Sequence, residues 1–468
     1  MNYLPRLRNP RAVFVFILLV ASLLKAQMPA PISNELQGKV DAIVRQALAT
    51  TGVPSASIAI VQNGAITYLQ AYGDGRIEPH LSALPSMRYS IGSISKQFTA
   101  GAVLLLAEQG KLSLDDPVSR FVPDLTRGNE VTIRELLSHT SGYQDYWPQD
   151  YVPPFMLRAI TADKILDQWA RKPLDFDPGT EWQYSNTNFV IAGLIVEKAS
   201  GEPLLQFLSE HIFAPVGMKS VMNIDQNRLT ETDATGYLRY ALGPPRLAPK
   251  EGKGWLFAAG ELAMPAEDLA KWDISIIKQT LLQPGSYAQM EKEVVLKNGL
   301  GTRYGLGVDV RQEFGERVIE HGGEISGFTA QNMVFPDTRM AVVVLVNQDS
   351  VGASADIARD IAALLFRENA GKQEEQSREI FVALQQGKIS RTLFTDNCNT
   401  YFTEQSLKDF ASSLGPLGSP TEFKQTSRQD RGGMTFRSFE VHFPQKTVEV
   451  WERIMPDGKI EEYQVGTK

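Results

Sequence analysis

The sequence predicts an α/β (α+β) fold in which an antiparallel sheet is flanked by helices and a helical lobe interrupts the strands. Helical periodicity opens the folded part at 34–51, and strand-like runs follow it directly. Similar runs return between about 304 and 347, and a helix over 354–366 closes this part of the chain. Strands from both ends can therefore share one sheet within a main domain over 34–367, while the helical middle forms a lobe.

The first elements are a helix and a hairpin. The helix over 34–51 is amphipathic, because its apolar residues fall on one face: Leu36, Val40, Ile43, Val44, Ala47 and Leu48. Strand-like runs over 57–61 and 65–69 flank Asn63-Gly64, and both of these residues tolerate the positive φ of a tight turn. The fold is therefore expected to open with a helix and two antiparallel strands.

The middle of the chain is mostly helical. A helix is predicted over 93–109 and ends at Gly110, which suits a left-handed C-terminal cap. Thr132 and Glu135 have the spacing of a capping box that begins a further helix. Two more helices are predicted over 188–199 and 203–213, and the later strands over 306–310, 317–320, 329–335 and 340–346.

The C-terminal part is predicted to form a small α+β accessory domain over 379–468. Residues 368–378 are polar and lack a hydrophobic period, which is typical of a linker. A helix is predicted near 406–414, and alternating runs over 435–443 and 447–455 indicate strands. The sequence of this domain indicates no function for it.

Composition and charge narrow the class of protein. The 468 residues are 43% hydrophobic and 22% charged, which excludes a disordered or collagen-like chain. A net charge of −7 argues against nucleic acid as a partner. The single cysteine, Cys398, excludes a disulfide scaffold, and we expect it to be a small buried residue. No histidine pair has the spacing of a zinc motif, so no metal or other cofactor is predicted.

The N-terminus is typical of a secretory signal peptide over 1–26. Three arginines precede an apolar run over 12–24, which is shorter than the about 20 residues that span a bilayer. Cleavage near Ala26 removes four cations and no acid, so the net charge changes from −7 to −11. We expect a periplasmic or extracellular protein without stable membrane insertion after cleavage; an uncleaved anchor is the alternative.

The most informative local motif is Ser93-Ile-Ser-Lys96, which follows a predicted strand and begins a helix. Residues three apart lie on one helix face, so the Lys96 amine can reach the Ser93 hydroxyl. A desolvated lysine can act as the base that makes a serine nucleophilic, and a helix N-terminus favours developing negative charge. The motif alone also fits a helix-capping serine followed by a solvent-facing lysine.

Two later motifs favour the catalytic interpretation. Tyr184-Ser-Asn186 stands just before an apolar helix, and His321-Gly-Gly323 stands at the end of a predicted strand. In this order the three motifs resemble the serine β-lactamase and penicillin-binding protein superfamily. Several flanking segments are similar to its class C β-lactamase, esterase and D-aminopeptidase branch: 136–142, 176–180, 258–262 and 268–272. The resemblance covers about 35–367 and implies a β-lactamase/transpeptidase-like fold.

The resemblance also implies an acyl-enzyme mechanism. Ser93 would attack a carbonyl carbon with Lys96 as its base. Tyr184 would help to pass the proton to the leaving group and later to activate water. These three residues are the predicted catalytic residues.

The remaining motif residues are predicted to bind the substrate. The Asn186 side chain would hydrogen-bond the amide on the acyl side. The backbone N–H groups of Ser93 and Glu324 would form the oxyanion hole on the strand that carries His321 and Gly323.

The third motif departs from the Lys-Thr-Gly that β-lactamases usually carry. Histidine at position 321 is expected to be only partly charged near pH 7, and Gly322 offers no hydroxyl, so recognition of a carboxylate is weakened. An exported hydrolase of esters or of D-amino-acid amides and peptides is therefore the favoured function. The alternatives are a β-lactamase or cell-wall D,D-peptidase, or a slowly deacylating penicillin-binding sensor. The sequence indicates no oligomeric state.

Residues near the motifs have weaker expectations. His139 is expected to fix a loop near the cleft rather than to catalyse. Tyr143, Tyr146 and Trp147 either line an apolar cleft wall or pack within the helical lobe.

Overall fold

A computed structural model describes residues 31–149 and 151–467, apart from the side chains of residues 430 and 431. The predicted signal peptide over 1–26 lies outside the described residues. Among the described helices, none is both long and apolar enough to cross a bilayer.

The regular elements of the described chain alternate between helices and strands. The helices are α1 Asn34–Thr51, α2 Ser95–Glu108, α3 Ile133–Leu137, α4 Ala162–Ile165, α5 Asn186–Ser200, α6 Leu204–Leu208, α7 Ala214–Val216, α8 Ala266–Lys278, α9 Pro284–Met290, α10 Ala353–Gln385, α11 Asp396–Tyr401 and α12 Glu404–Leu414. The strands are β1 Ser55–Gln62, β2 Ala65–Arg76, β3 Leu81–Ser82, β4 Tyr89–Ser90, β5 Met222–Asn223, β6 Tyr237–Leu238, β7 Arg246–Leu247, β8 Leu262–Met264, β9 Asp309–Glu313, β10 Glu316–Ile325, β11 Phe328–Phe335, β12 Met340–Val346, β13 Glu422–Arg431, β14 Met434–His442, β15 Thr447–Ile454 and β16 Ile460–Thr467.

The main sheet joins strands from the two ends of the 34–367 region, as the sequence predicts. Its order is β3-β2-β1-β12-β11-β10-β9, and its neighbouring strands run antiparallel. Strand β1 pairs with β12, so that Ala56 lies opposite Val346. The β1–β2 hairpin turns at Asn63 and Gly64, whose φ values are 54° and 71°. The predicted fold class, including this hairpin, is confirmed.

Strand β12 lies at the centre of two hydrophobic layers. Ala341, Val343 and Leu345 belong to the core beneath the helical lobe, which includes α2 and α8. Their neighbours on the other face, Val342, Val344 and Val346, pack with α1 and α10. Each fully buried aliphatic side chain contributes roughly 1.5–3 kcal/mol to the stability of the folded state. The buried side chains on the two faces of β12 therefore hold the sheet between its two hydrophobic layers.

Residues 368–378, which the sequence predicts as a linker without regular structure, are helical. Helix α10 continues through them to Gln385, because Ser377, Ile380 and Phe381 pack on one side while the polar residues face solvent. Beyond it, a four-stranded antiparallel sheet, β13-β14-β15-β16, covers a separate hydrophobic cluster. Cys398 is buried in that cluster, as expected. The division of the chain into domains stays a prediction.

Candidate active site

A tight turn presents Ser93 at the edge of the main sheet. The short strand β4 ends at Ser90, a 3₁₀ turn spans Gly92–Ile94, and α2 begins at Ser95 rather than at Ser93 as predicted. Gly92 has a φ of 50°, and a Cβ there would lie 2.8 Å from both the backbone N and O of Glu324. The glycine therefore lets β10 approach the turn, which places the Glu324 N–H beside Ser93.

Lys96 lies beneath Ser93 in a fully buried position. Its Nζ is 2.8 Å from each of three oxygens: Ser93 Oγ, Asn186 Oδ1 and the carbonyl of Ala259. Burial lowers the pKa of Lys96 to about 7, although the Asp145 carboxylate opposes this shift. Asn186 Oδ1 and the Ala259 carbonyl can only accept hydrogen bonds, so they take the two N–H groups of the unprotonated amine. The lone pair of the amine is then directed at the Ser93 hydroxyl. Because the pKa is about 7, this unprotonated form is populated near neutral pH.

Tyr184 completes the hydrogen-bonded group around the serine. Its hydroxyl bonds with Ser93, and its ring centroid lies 4.9 Å from Lys96 Nζ. Burial raises the pKa of the Tyr184 phenol, so the neutral phenol is the resting form. The ring stacks on His139 with centroids 4.3 Å apart.

His139 shapes the segment that carries Tyr184. Its backbone is left-handed, with a φ of 59°, and its Nδ1 accepts a hydrogen bond from the Ser185 N–H at 3.1 Å. Burial also lowers the pKa of His139 well below its usual value, so the ring is neutral. The expectation that His139 fixes a loop is confirmed.

Asn186 begins α5 and connects Lys96 with Asp145. Its Oδ1 accepts from Lys96, whereas its Nδ2 donates to Asp145 Oδ1 at 3.2 Å. The same carboxylate oxygen accepts the backbone N–H groups of Asn186 and Trp147 at 2.9 and 3.2 Å. These bonds determine which end of the Asn186 amide faces the lysine.

His321 is neutral, which corrects the expectation that it is partly charged near pH 7. Burial and the neighbouring Lys96 lower its pKa to about 3. Its Nδ1 lies 2.5 Å from the carbonyl of Gly322 and therefore carries the proton, so Nε2 accepts from the Tyr304 hydroxyl at 2.8 Å. The third motif consequently supplies no cation at physiological pH.

Gly323 allows β10 to pack closely against the turn. A Cβ at Gly323 would lie 1.9 Å from the carbonyl oxygen of Ile91, whereas one at Gly322 would meet only Gln331 Oε1, at 3.3 Å. The next residue, Glu324, is held by its side chain, whose Oε1 accepts the N–H of Ser350 at 2.7 Å. The strand therefore has a fixed position relative to Ser93.

These side chains surround one open cleft of about 1030 Å³. The cleft is lined by six of the predicted site residues: Ser93, Tyr184, Asn186, His321, Gly323 and Glu324. Tyr146 and Trp147 form part of its wall, whereas Tyr143 is buried in the helical lobe. The structure thus brings the three sequence motifs together around Ser93.

A possible metal-binding group lies elsewhere in the described residues. Carboxylate and imidazole atoms of Glu202, Glu210 and His211 lie within 4.8 Å of one another. None of these residues lines the cleft, and the His211 ring packs on Phe207 at 4.5 Å. The group therefore takes no part in the chemistry at Ser93.

Sequence reasoning missed three contributors to the site. Asp145 follows a recognised flanking segment, but its contact with Asn186 spans 41 residues. Tyr304 and the Ala259 carbonyl reach the site only through tertiary packing. The available signals were that Ala259 lies within the flanking segment 258–262 and that Asp145 closely follows the segment 136–142.

The fold, the family match and the paired Ser93 and Lys96 define a protein of the serine β-lactamase and penicillin-binding protein class. The chain belongs to the Beta-lactamase family, whose model matches residues 40–366. The predicted superfamily is thereby confirmed.

Two curated relatives share this region. Protein flp of Staphylococcus aureus (strain MW2) is 28% identical over 337 residues, covering 68% of this chain and 64% of the relative. A D-aminopeptidase of Brucella anthropi is 28% identical over 310 residues, covering 65% of this chain and 58% of that protein. The chain thus spans less than two thirds of the length of these relatives.

Solved structures extend the likeness. A D-stereospecific amidohydrolase from Streptomyces sp. superposes with a TM-score of 0.60 at 27% identity, covering 68% of this chain and 96% of that one. An octameric penicillin-binding protein homologue from Pyrococcus abyssi gives a TM-score of 0.63 at 22% identity, covering 92% of this chain and 99% of that one. The second match shows that the likeness in fold extends beyond the family region.

Proposed function

We propose that this protein is an exported serine hydrolase that forms an acyl-enzyme on Ser93 and acts on esters or on D-amino-acid amides and peptides. The observation that carries the proposal is the 2.8 Å contact between Lys96 Nζ and Ser93 Oγ in a fully buried environment. An amine with a pKa of about 7 is suited to accept the serine proton at neutral pH.

The proposed acylation step uses the residues around Ser93. Lys96 accepts the hydroxyl proton while Oγ attacks the carbonyl carbon, and the resulting oxyanion accepts hydrogen bonds from the N–H groups of Ser93 and Glu324. The intermediate then collapses. The proton passes from Lys96 through the Tyr184 phenol to the leaving nitrogen or oxygen, and the acyl group remains on Ser93.

Deacylation reverses the direction of proton transfer. Water attacks the Ser93 ester while Lys96 and Tyr184 accept its proton, and Ser93 leaves with a proton returned from the same pair. The neutral Tyr184 phenol supports this role, because it can donate and accept a proton within one step.

The charges of the cleft favour substrates without a carboxylate on the leaving group. His321 is neutral, and the two arginines that line the described cleft are already engaged. Arg311 pairs with Glu320 at 3.2 Å, and Arg239 donates to the carbonyls of Thr51 and Gly52. Four carboxyl groups against two arginines also line the cleft, and this excess of acids favours a free amino group over a carboxylate on the acyl part: Asp145, Asp309, Glu324 and Asp349.

The relatives support the D-configuration and a small-molecule substrate. One is a D-aminopeptidase and one solved structure is a D-stereospecific amidohydrolase. The basic start and short apolar run of the N-terminus support export. Cell fractionation with N-terminal sequencing tests export, and a retained N-terminus would contradict cleavage near Ala26.

Intact-mass analysis tests the acyl-enzyme proposal. After incubation with a fluorophosphonate, we expect one adduct that disappears in Ser93→Ala. Rates are then compared for D-phenylalanine amide, L-phenylalanine amide, a D-alanyl-D-alanine peptide and a chromogenic cephalosporin. The D-amide is expected to be the preferred substrate. A persistent penicillin adduct without turnover would instead favour a sensor, and a folded protein that forms no adduct would contradict the proposal.

A further inference from the structure

Large apolar side chains are exposed around the mouth of the cleft. They lie on two segments, 151–158 and 239–253, which we call the apolar rim. Leu242 is 99% exposed, Tyr240 is 78% exposed, Leu247 is 71% exposed and Tyr151 is 66% exposed. Tyr151 and Tyr240 both line the cleft. Exposed large apolar side chains clustered on two short segments are typical of an interaction site.

The two segments form one continuous surface. The N–H of Gly252 donates to the carbonyl of Met156 at 2.7 Å, and the N–H of Ile160 donates to the carbonyl of Lys253 at 2.9 Å. The second segment is therefore laid directly against the first. Tyr151 of the first segment and Tyr240 of the second border the same opening.

The hairpin within the apolar rim is anchored at its base. Tyr237 donates its backbone N–H to the carbonyls of Gly327 and Asn347 at 3.3 and 3.1 Å. Arg239 holds the next turn to the carbonyls of Thr51 and Gly52. Leu242 and Leu247 of this anchored hairpin are exposed to solvent.

The charge of the apolar rim is opposite to that of the whole protein. Its exposed cations are Arg158, Arg246, Lys250 and Lys253. The one acid within the two segments, Glu251, is buried and accepts the Ser326 N–H at 3.1 Å. The chain as a whole has a net charge of −7. Exposed leucine and tyrosine beside exposed cations match the chemistry of an anionic lipid surface.

We propose that the apolar rim docks the cleft mouth onto an anionic phospholipid surface, with Leu242 and Leu247 inserted between the headgroups. A second copy of the chain is a poorer occupant, because a symmetric contact would place the rim cations of both copies together. This docking is peripheral and needs no membrane-spanning helix.

Vesicle co-sedimentation of the purified full chain tests the proposal. We expect binding to phosphatidylglycerol vesicles to exceed binding to phosphatidylcholine vesicles and to weaken as salt is raised from about 0.05 M to about 0.5 M. The double variant Leu242→Glu and Leu247→Glu should lower the affinity at least about tenfold. Leu300→Glu is the matched control, since Leu300 is 64% exposed but lies outside the apolar rim.

The outcomes separate the possible occupants. All variants carry the same N-terminus, so a difference between them reports the apolar rim, and an unchanged melting temperature shows that each variant folds. Equal vesicle binding by wild type and the double variant would overturn the proposal, as would no binding to anionic vesicles. Light scattering that shows self-association lost in the double variant, without vesicle binding, would instead make the apolar rim a contact between copies.

Discussion

Asp145 holds Asn186 by its main chain and its side chain at once: Asp145 Oδ1 lies 2.9 Å from the Asn186 backbone N and 3.2 Å from its Nδ2. The amide oxygen of Asn186 is thereby turned toward Lys96. Asp145 is therefore a positioning residue for the lysine. It also acts at a distance, because its negative charge raises the pKa of Lys96 against the effect of burial.

Asp145→Asn is expected to change both the rate and its pH dependence. The new amide keeps one acceptor oxygen but places an NH2 group in the position of Oδ2, 3.4 Å from the Asn186 Nδ2, so that two donors face each other. We therefore expect kcat/KM for an ester such as p-nitrophenyl acetate to fall roughly tenfold or more. Loss of the negative charge also lowers the pKa of Lys96, so the acid limb of the pH profile moves to lower pH. Asp349→Asn is the control, because Asp349 lines the cleft without touching Asn186. An unmoved acid limb in Asp145→Asn would contradict this role.

Lys96 should determine the acid limb of the wild-type profile. Because the free amine is the base and its pKa is about 7, kcat/KM should fall about tenfold per pH unit well below pH 7. Lys96→Ala and Lys96→Arg should both lose roughly 10²–10⁴-fold in acylation rate, since arginine keeps the charge but offers no base. Stopped-flow labelling with a fluorophosphonate measures this, with circular dichroism as the folding control. Full activity in Lys96→Ala would exclude Lys96 as the base.

The two glycines of the third motif should respond differently to alanine. In Gly323→Ala the new methyl group meets the Ile91 carbonyl at 1.9 Å, so β10 must move away from the turn and carry the Glu324 N–H with it. We expect a lower melting temperature and a loss of acylation of roughly 10²-fold or more. Gly322→Ala meets only the end of the Gln331 side chain and should keep a melting temperature close to wild type. Equal effects of the two changes would argue against the close packing.

The buried carboxyl group of Asp273 should make stability depend on pH. Burial raises its pKa to about 8, and its Oδ1 accepts from Asn332 Nδ2 at 2.8 Å. Asn332 in turn accepts from Gln97, the neighbour of Lys96. The folded state keeps the proton that the unfolded state releases above about pH 4, so stability falls as pH rises from about 4 to about 8.

Asp273→Asn removes this titration and keeps a similar shape. We expect the melting temperature of the variant to rise relative to wild type as pH increases across that window. Scanning calorimetry between pH 4 and 8 measures the difference. A difference between wild type and Asp273→Asn that stays constant with pH would show that Asp273 is ionised in the folded protein.

Local signals in the sequence predicted most of the fold. The hairpin at Asn63-Gly64 and the capping box at Thr132 both depend on residues within a few positions of each other, and both are present. The helical conformation of residues 368–378 was not predicted, because this stretch lacks a hydrophobic period. A helix that is solvated along much of its length needs no such period, and α10 is held by the apolar contacts on either side of this stretch.

The site was predictable to the extent that its motifs are continuous in sequence. Ser93 and Lys96 are three residues apart, so helix geometry alone brings them within reach. The charge state of His321 was not predictable, because it depends on burial and on Lys96, which approaches only in the folded chain. The same holds for Asp145, whose contact with Asn186 is made across the cleft wall.

Helix α10 connects the main sheet and the C-terminal sheet as one continuous helix. Its 33 residues extend for about 50 Å, from the layer against β12 to the hydrophobic cluster of the accessory part. A second contact between the two parts is the ion pair of Arg428 in β13 with Glu316, which begins the strand that carries His321. A molecule bound to the C-terminal sheet would therefore be held at a fixed distance and orientation relative to the cleft.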